Sequence, residues 1–258
     1  MELQGKRIIV TGSARGMGAA TVRTYAAAGA NVYAMDLNDA EGAEVAAAAA
    51  KAGPGTVEYL HVDVADRASV EAAFQQAVNG LGGLDALAHP AAIHQAANPT
   101  DVTVEQWEAV FSVNVTGTML TNQIAHQHMK PCGGGSIINF GSISGQRPEP
   151  SAAAYSATKG AVHSWTRCAA GEWGADNVRV NAILPAMATP MYRQARAEMS
   201  EEAATIAYWR NEYTISLGQA YGDPDEDLGP VMVFFASDAS RFITGQLIPV
   251  DGGQGNVR

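Results

Sequence analysis

Tyr155 and Lys159, in Tyr155-Ser156-Ala157-Thr158-Lys159, are spaced for proton transfer. Four residues apart on a helix, they share one face. A phenol ordinarily loses its proton near pH ~10, too high for efficient base work at neutral pH. An ammonium group beside it favours the phenolate and predicts a lowered pKa. Such a pair can give a proton to a ketone oxygen as a hydride arrives, or take one from an alcohol as a hydride leaves. Upstream, Ser142 in Asn139-Phe140-Gly141-Ser142-Ile143-Ser144-Gly145 offers a hydroxyl to stabilise charge on the reacting oxygen. Singly, these residues have plainer readings: Ser142 as a turn residue, Asn114 as a helix-interior hydrogen bonder, Tyr155 as a packed aromatic.

A second constellation suits a dinucleotide. Gly12, Ser13, Arg15, Gly16, Met17 and Gly18 lie in Thr11-Gly12-Ser13-Ala14-Arg15-Gly16-Met17-Gly18, between an apolar run and a helix-like segment. Glycines let the backbone turn tightly and approach a pyrophosphate, whose charge the helix N-terminus stabilises. The spacing is Gly-x-x-x-Gly-x-Gly, one residue longer overall than the common dinucleotide fingerprint. Asp36 ends the next apolar run, where a carboxylate can accept from both adenosine ribose hydroxyls and repel a 2′-phosphate. Leu37 and Asn38 supply no compensating cation, which points to NAD rather than NADP. Arg15 can reach a phosphate from the turn. A solvated strand end or a helix cap is the plainer role for Asp36.

The rest of the chain must position these groups, and its pattern alternates strand and helix. Strands are predicted over Arg7–Thr11, Asn31–Asp36, Val57–Val62, Asp85–Ala88, Ser136–Phe140, Val178–Leu184 and Leu247–Val250. Helices are predicted over Met17–Ala28, Asp39–Ala52, Asp66–Val78, Val104–Met129, Ala153–Gly174 and Asp225–Ser237, with Gly- and Pro-rich turns between elements. Repeated βα units imply an α/β fold: a doubly wound, Rossmann-type parallel sheet of about seven strands with helices on both faces. Residues 185–217 leave that rhythm and carry Met187, Met191, Tyr192, Met199, Tyr208, Trp209 and Tyr213 among polar residues. This segment reads as a helical substrate lid on one domain spanning 1–258.

With these motifs in order, the chain resembles the short-chain dehydrogenase/reductase family over nearly its whole length. The resemblance implies hydride transfer between nicotinamide and a secondary alcohol or ketone, with Tyr155 as acid/base. It also implies that Lys159 holds the nicotinamide ribose and that Asn114, in Val113-Asn114-Val115-Thr116-Gly117, anchors a water relaying protons from Lys159 to solvent. Asp63 then bonds the adenine amino group, with a helix cap as its rival role, and Val64 lines the adenine pocket. Pro185-Ala186-Met187-Ala188-Thr189 matches the segment beside nicotinamide, with Ala186 where glycine is usual and Thr189 bonding the carboxamide. Thr244-Gly245-Gln246 and Asp251-Gly252-Gly253 match for structural and subunit-contact reasons.

One stretch departs from the family. Where relatives read Asn-Asn-Ala-Gly, and the backbone approaches the adenosine ribose, this chain has His89-Pro90-Ala91-Ala92. Pro90 removes a donor and Ala92 tolerates positive φ less well than glycine. His89 either restores a hydrogen bond tying the sheet together or is simply buried and satisfied. His94, Ser144, Gln146, Met191, Tyr192 and Trp209 are candidate substrate contacts.

Composition narrows the function classes. Of 258 residues, 47% are hydrophobic and 16% charged, enough apolar content for a large core, and the net charge of −10 disfavours a nucleic-acid or anionic-membrane surface. No metal-ligand spacing occurs, and Cys132 and Cys168 read as free thiols. The absence of an apolar leader in Met1–Lys6 predicts a cytoplasmic protein. The family resemblance implies a homotetramer, a dimer of dimers, acting on a small-molecule alcohol or ketone. Two other readings stand beside this one: an NADPH-dependent 3-oxoacyl-thioester reductase, and a catalytically silent dinucleotide-binding scaffold.

Overall fold

A computed structural model describes residues 2–255. Its strands are β1 (Arg7–Thr11), β2 (Asn31–Asp36), β3 (Thr56–His61), β4 (Ala86–His89), β5 (Gly135–Phe140), β6 (Val178–Pro185) and β7 (Leu247–Val250). All pair in parallel in the order β3-β2-β1-β4-β5-β6-β7. The order reverses between β1 and β4, and ligands of such sheets bind at that switch point, beyond the carboxyl ends of the strands. The Gly-rich turn after β1 and the residues after β4 meet there.

The helices are α1 (Gly16–Ala27), α2 (Asp39–Ala52), α3 (Arg67–Leu81), α4 (Val104–Phe111), α5 (Gly117–Met129), α6 (Ala153–Trp173), α7 (Pro190–Ala197), α8 (Glu201–Arg210) and α9 (Gly229–Ala236). Successive strand side chains point to opposite faces, so β1 feeds two cores. Ile8 and Val10 join Tyr25, Phe140 and Met232 on one side, while Ile9 joins Phe74, Leu87 and Ile137 on the other. Both faces are covered, as the nearly continuous apolar strand runs require. Among the described residues, no helix is long and apolar enough to cross a membrane.

Two expected helices are broken by wide turns. The predicted Val104–Met129 helix divides into α4, a five-residue π-helical turn at Ser112–Thr116, and α5. Apolar periodicity runs through that turn without a sequence break, whereas Asn114 at its centre bonds outside the helix. The predicted Asp225–Ser237 helix opens with a second π-helical turn, Pro224–Leu228, before α9. Pro230 has no N–H with which to continue a regular ladder there. Within 185–217 lie α7, α8 and a short 3-10 turn at Glu212–Thr214.

Candidate active site

The Gly-rich turn is shaped by close backbone approach. Gly12 has φ +59°, and a Cβ there would lie 2.6 Å from the Ala91 Cα. Gly16 has φ +53°, where a Cβ would sit 3.5 Å from Thr189 Cγ2, so Thr189 borders the same crevice. A Cβ on Gly18 would run into the Gly12 carbonyl. Met17 turns inward and packs on the core. Ser13 is buried with its hydroxyl oxygen unpartnered. A buried unpaired hydroxyl is costly, and a phosphate oxygen at the N-terminus of α1 would satisfy it. With no acidic residue in the first turn of α1, the turn fits a dinucleotide pyrophosphate.

Asp36 ends β2 and organises the crevice rim. Its carboxylate accepts from Ala14 N at 2.9 Å and from Asn38 N at 2.9 Å. An ionised carboxylate has roughly four acceptor positions, so positions remain for ribose hydroxyls. Leu37 is exposed, and Asn38 caps α2. The Arg15 guanidinium is held by Glu41. Asp63 is not the cap of α3, a role that Asp66 takes by accepting from Ala68 N; the Asp63 carboxylate accepts from Ala65 N at 2.9 Å. Val64 is buried against Gly117.

At the end of β4, His89 is buried and bridges three elements. Its Nδ1 lies 2.7 Å from Thr11 Oγ1 on β1 and 3.2 Å from Thr121 Oγ1 on α5. The sheet-tying hydrogen bond is therefore made by the imidazole, while His89 Nε2 has no partner. Burial, then the charge of Lys159, pushes this histidine down to about 3, so it is neutral across the ordinary pH range. Pro90 and Ala91 follow, with the Ala91 backbone against Gly12.

Three elements bring the proton-transfer residues together. Ser142 follows β5, its hydroxyl oxygen accepting from Ser144 N at 3.1 Å and lying 3.1 Å from Ser144 Oγ. Tyr155 and Lys159 stand on α6, with Lys159 Nζ 5.4 Å from the Tyr155 ring centroid. The ammonium donates to the Phe140 carbonyl at 2.7 Å. Asn114 clamps the backbone of Ile93, accepting from its N at 2.8 Å and donating to its O at 2.9 Å; it also donates to Thr158 Oγ1 at 3.1 Å. Thr158 in turn donates to Tyr155 O at 2.7 Å, linking the π-helical turn to α6.

The expected fall of the Tyr155 pKa is corrected here. Tyr155 keeps part of its surface open, yet burial raises its hydroxyl above the ordinary value, while a hydrogen bond with Ser142 pulls the other way. The charge of Glu149 adds a smaller push in the same direction as burial. Burial also pushes Lys159 itself down to about 8.

The candidate substrate contacts divide. His94 sits edge-on to Tyr155 with centroids 5.0 Å apart, and Ser144 contacts Ser142. Gln146 is exposed beside that turn. Met191 is 80% exposed and Trp209 57% exposed. Trp209 packs on Tyr208 and Tyr213. Tyr192 gives its hydroxyl to Glu212 and packs on Tyr221 at 4.8 Å. Met187 packs on the core and pairs with Gly222; Pro185 closes β6 opposite Val250. Thr189 caps α7 by accepting from Tyr192 N at 3.3 Å. Sequence reasoning missed His163, which lies one helical turn beyond Lys159 and meets Ser142; its i+4 spacing from Lys159 was the available signal.

Comparison with known proteins agrees with this arrangement. The family model described as enoyl-(acyl carrier protein) reductase matches residues 12–254. The chain is 37% identical over 255 residues to the 2,5-dichloro-2,5-cyclohexadiene-1,4-diol dehydrogenase of Sphingobium indicum, covering 98% of each. It is 37% identical over 252 residues to the 3-alpha-(or 20-beta)-hydroxysteroid dehydrogenase of Mycobacterium bovis, covering 97% of this chain and 90% of that one. A short-chain type dehydrogenase/reductase from Mycobacterium ulcerans superposes with a TM-score of 0.91 at 30% identity, covering 99% of this chain and 91% of that one. The fold and crevice define an oxidoreductase of the nicotinamide-dinucleotide class, acting on CH–OH groups. The chain belongs to the short-chain dehydrogenase/reductase family.

Proposed function

We propose that the protein is an NAD(H)-dependent enzyme that interconverts a ring-borne secondary alcohol and its ketone, with Tyr155 as acid/base. The observation that carries this reading is the convergence of Ser142, Tyr155, Lys159 and Asn114 beside the Gly-rich crevice. Bound nicotinamide supplies or accepts the hydride. Ser142 holds the substrate oxygen and stabilises its developing charge. Tyr155 delivers the proton to that oxygen, or removes it in the reverse direction. Lys159 places positive charge beside Tyr155 and holds the nicotinamide ribose, while Asn114 fixes the turn through which a relay water reaches Lys159. Gly12, Ser13, Gly16 and Met17 form the pyrophosphate turn, with Pro90, Ala91, Pro185, Met187 and Thr189 along the crevice wall. Asp63 and Val64 serve the adenine end.

The raised Tyr155 hydroxyl keeps its proton at neutral pH, which suits ketone reduction, and alcohol oxidation accelerates as pH rises. The preference for ring substrates is supported by the cyclohexadienediol and hydroxysteroid for which the two dehydrogenases matched above are named. His94, edge-on to Tyr155, and Ser144 are the proposed substrate contacts. The chain is proposed to act as one domain with residues 185–217 as its lid, in a cytoplasmic tetramer. The wholly exposed Phe242 just before β7 supports assembly with further copies.

The choice of NAD rests on Asp36 and on the engagement of Arg15 by Glu41. In a fluorescence titration NADH is expected to bind at least about tenfold more tightly than NADPH, because a 2′-phosphate would meet a carboxylate at close range. Asp36→Ala is expected to shrink that ratio to about threefold. Equal or tighter NADPH binding by the unaltered protein would favour the 3-oxoacyl-thioester reading instead.

A further inference from the structure

We infer that His163 is a positioning residue for Ser142: its neutral imidazole accepts the Ser142 backbone N–H and, wedged against Gly141 and Gly145, fixes the turn that presents the Ser142 hydroxyl. Tyr155, Lys159 and His163 recur at intervals of four along one face of α6. The His163 side chain is buried, at 4% exposure, and its Nε2 lies 3.4 Å from Ser142 N. A Cβ on Gly141 would sit 2.6 Å from that same Nε2, and one on Gly145 would sit 2.8 Å from His163 Cε1. The ring thus fills the space that these two glycines leave on either side of Ser142.

Acceptance at Nε2 requires a free lone pair there, which puts the imidazole proton on Nδ1. The surroundings keep it so. Burial, then the charges of Lys159 and Arg167 on the same helix, push His163 down to about 4. Facing it from the turn are Gly141, Ser142 and Gly145, and from β6 Leu184, none of which brings a charge. A protonated imidazole would set one N–H against another and release the turn. Ser142 is then held twice, through its backbone by His163 and through its hydroxyl by Ser144. Its named contacts lie on the Ser142 turn, so its loss is expected to act on the reacting oxygen and to leave dinucleotide binding unaffected.

The inference rests on the reading that Ser142 holds the substrate oxygen, so Ser142→Ala is measured alongside. In the ketone-reduction assay His163→Leu is expected to lower kcat about tenfold, since small misplacements of a polarising group are costly. Its NADH Kd stays within about twofold, and His163→Gln, whose amide oxygen can accept the same N–H, recovers most of the loss. In the unaltered protein, histidine 15N spectra assigned with the Gln variant are expected to show His163 neutral and protonated on Nδ1 at pH 6. A kcat within about twofold of the unaltered enzyme in the Leu variant, no recovery with Gln, or a proton on Nε2 would overturn the inference. The tautomer decides the matter should the Leu variant fail to fold. Full activity in Ser142→Ala would instead overturn the reading of Ser142 itself.

Discussion

Tyr155→Phe is expected to lower kcat by about a thousandfold while leaving NADH affinity within about twofold, since general acid–base catalysis contributes roughly 10²–10⁴. The substitution removes one oxygen and keeps the ring that packs against His94 and under Lys159. Ser142 and Lys159 keep their own partners, Ser144 and the Phe140 carbonyl. The loss therefore reports on the proton and not on collapse of the site. Steady-state turnover, paired with fluorescence titration of the dinucleotide, separates the two. A variant retaining more than about a tenth of the unaltered kcat would place the acid/base role elsewhere.

Stability is expected to fall by about 4 kcal/mol between pH 7 and pH 5, because two buried histidines refuse protons that the unfolded chain accepts. In the unfolded chain each takes a proton near the ordinary 6.5, whereas in the fold His89 is held at about 3 and His163 at about 4. Above 6.5 both states are unprotonated and neither residue contributes a pH dependence. As pH falls below 6.5 the unfolded state binds more protons, and each histidine costs up to about 1.4 kcal/mol per pH unit until its folded value is reached. His128, pushed down by burial, adds in the same direction. Denaturant unfolding at the two pH values measures the fall. His89→Asn, which removes the titrating ring while keeping a side chain able to bond Thr11, should flatten a large part of it. A stability equal at pH 7 and pH 5 would contradict the neutral, buried state of these rings.

Much of the fold and the core of the candidate site were readable in the residues themselves. Apolar runs of strand length, with glycine or proline at nearly every junction, marked every strand of the sheet within a few residues. The order of the Gly-rich turn, Asp36, Asn114, Ser142, Tyr155 and Lys159 pointed to the crevice, because each lies in or beside a strand or helix that the local pattern predicts. What escaped depends on contacts distant in sequence. The π-helical turn around Asn114 is imposed by Ile93 and Thr158, and nothing in the Val104–Met129 periodicity signals it. The sequence points to Lys159, four residues away, as what sets the Tyr155 pKa, whereas desolvation by the surrounding fold is the largest influence and raises it. His89 left two roles open in the sequence, and only its approach to Thr11 and Thr121 decides between them.

The most direct test of catalysis, as opposed to dinucleotide storage, is the nicotinamide absorbance of the unaltered protein mixed with NAD+ and a panel of ring-borne secondary alcohols, and with NADH and the matching ketones. Net interconversion of the dinucleotide, faster toward alcohol at neutral pH and faster toward ketone as pH rises, is the predicted result. Tight binding of NADH with no turnover of any panel member in either direction would contradict it and leave a silent dinucleotide-binding scaffold as the better description.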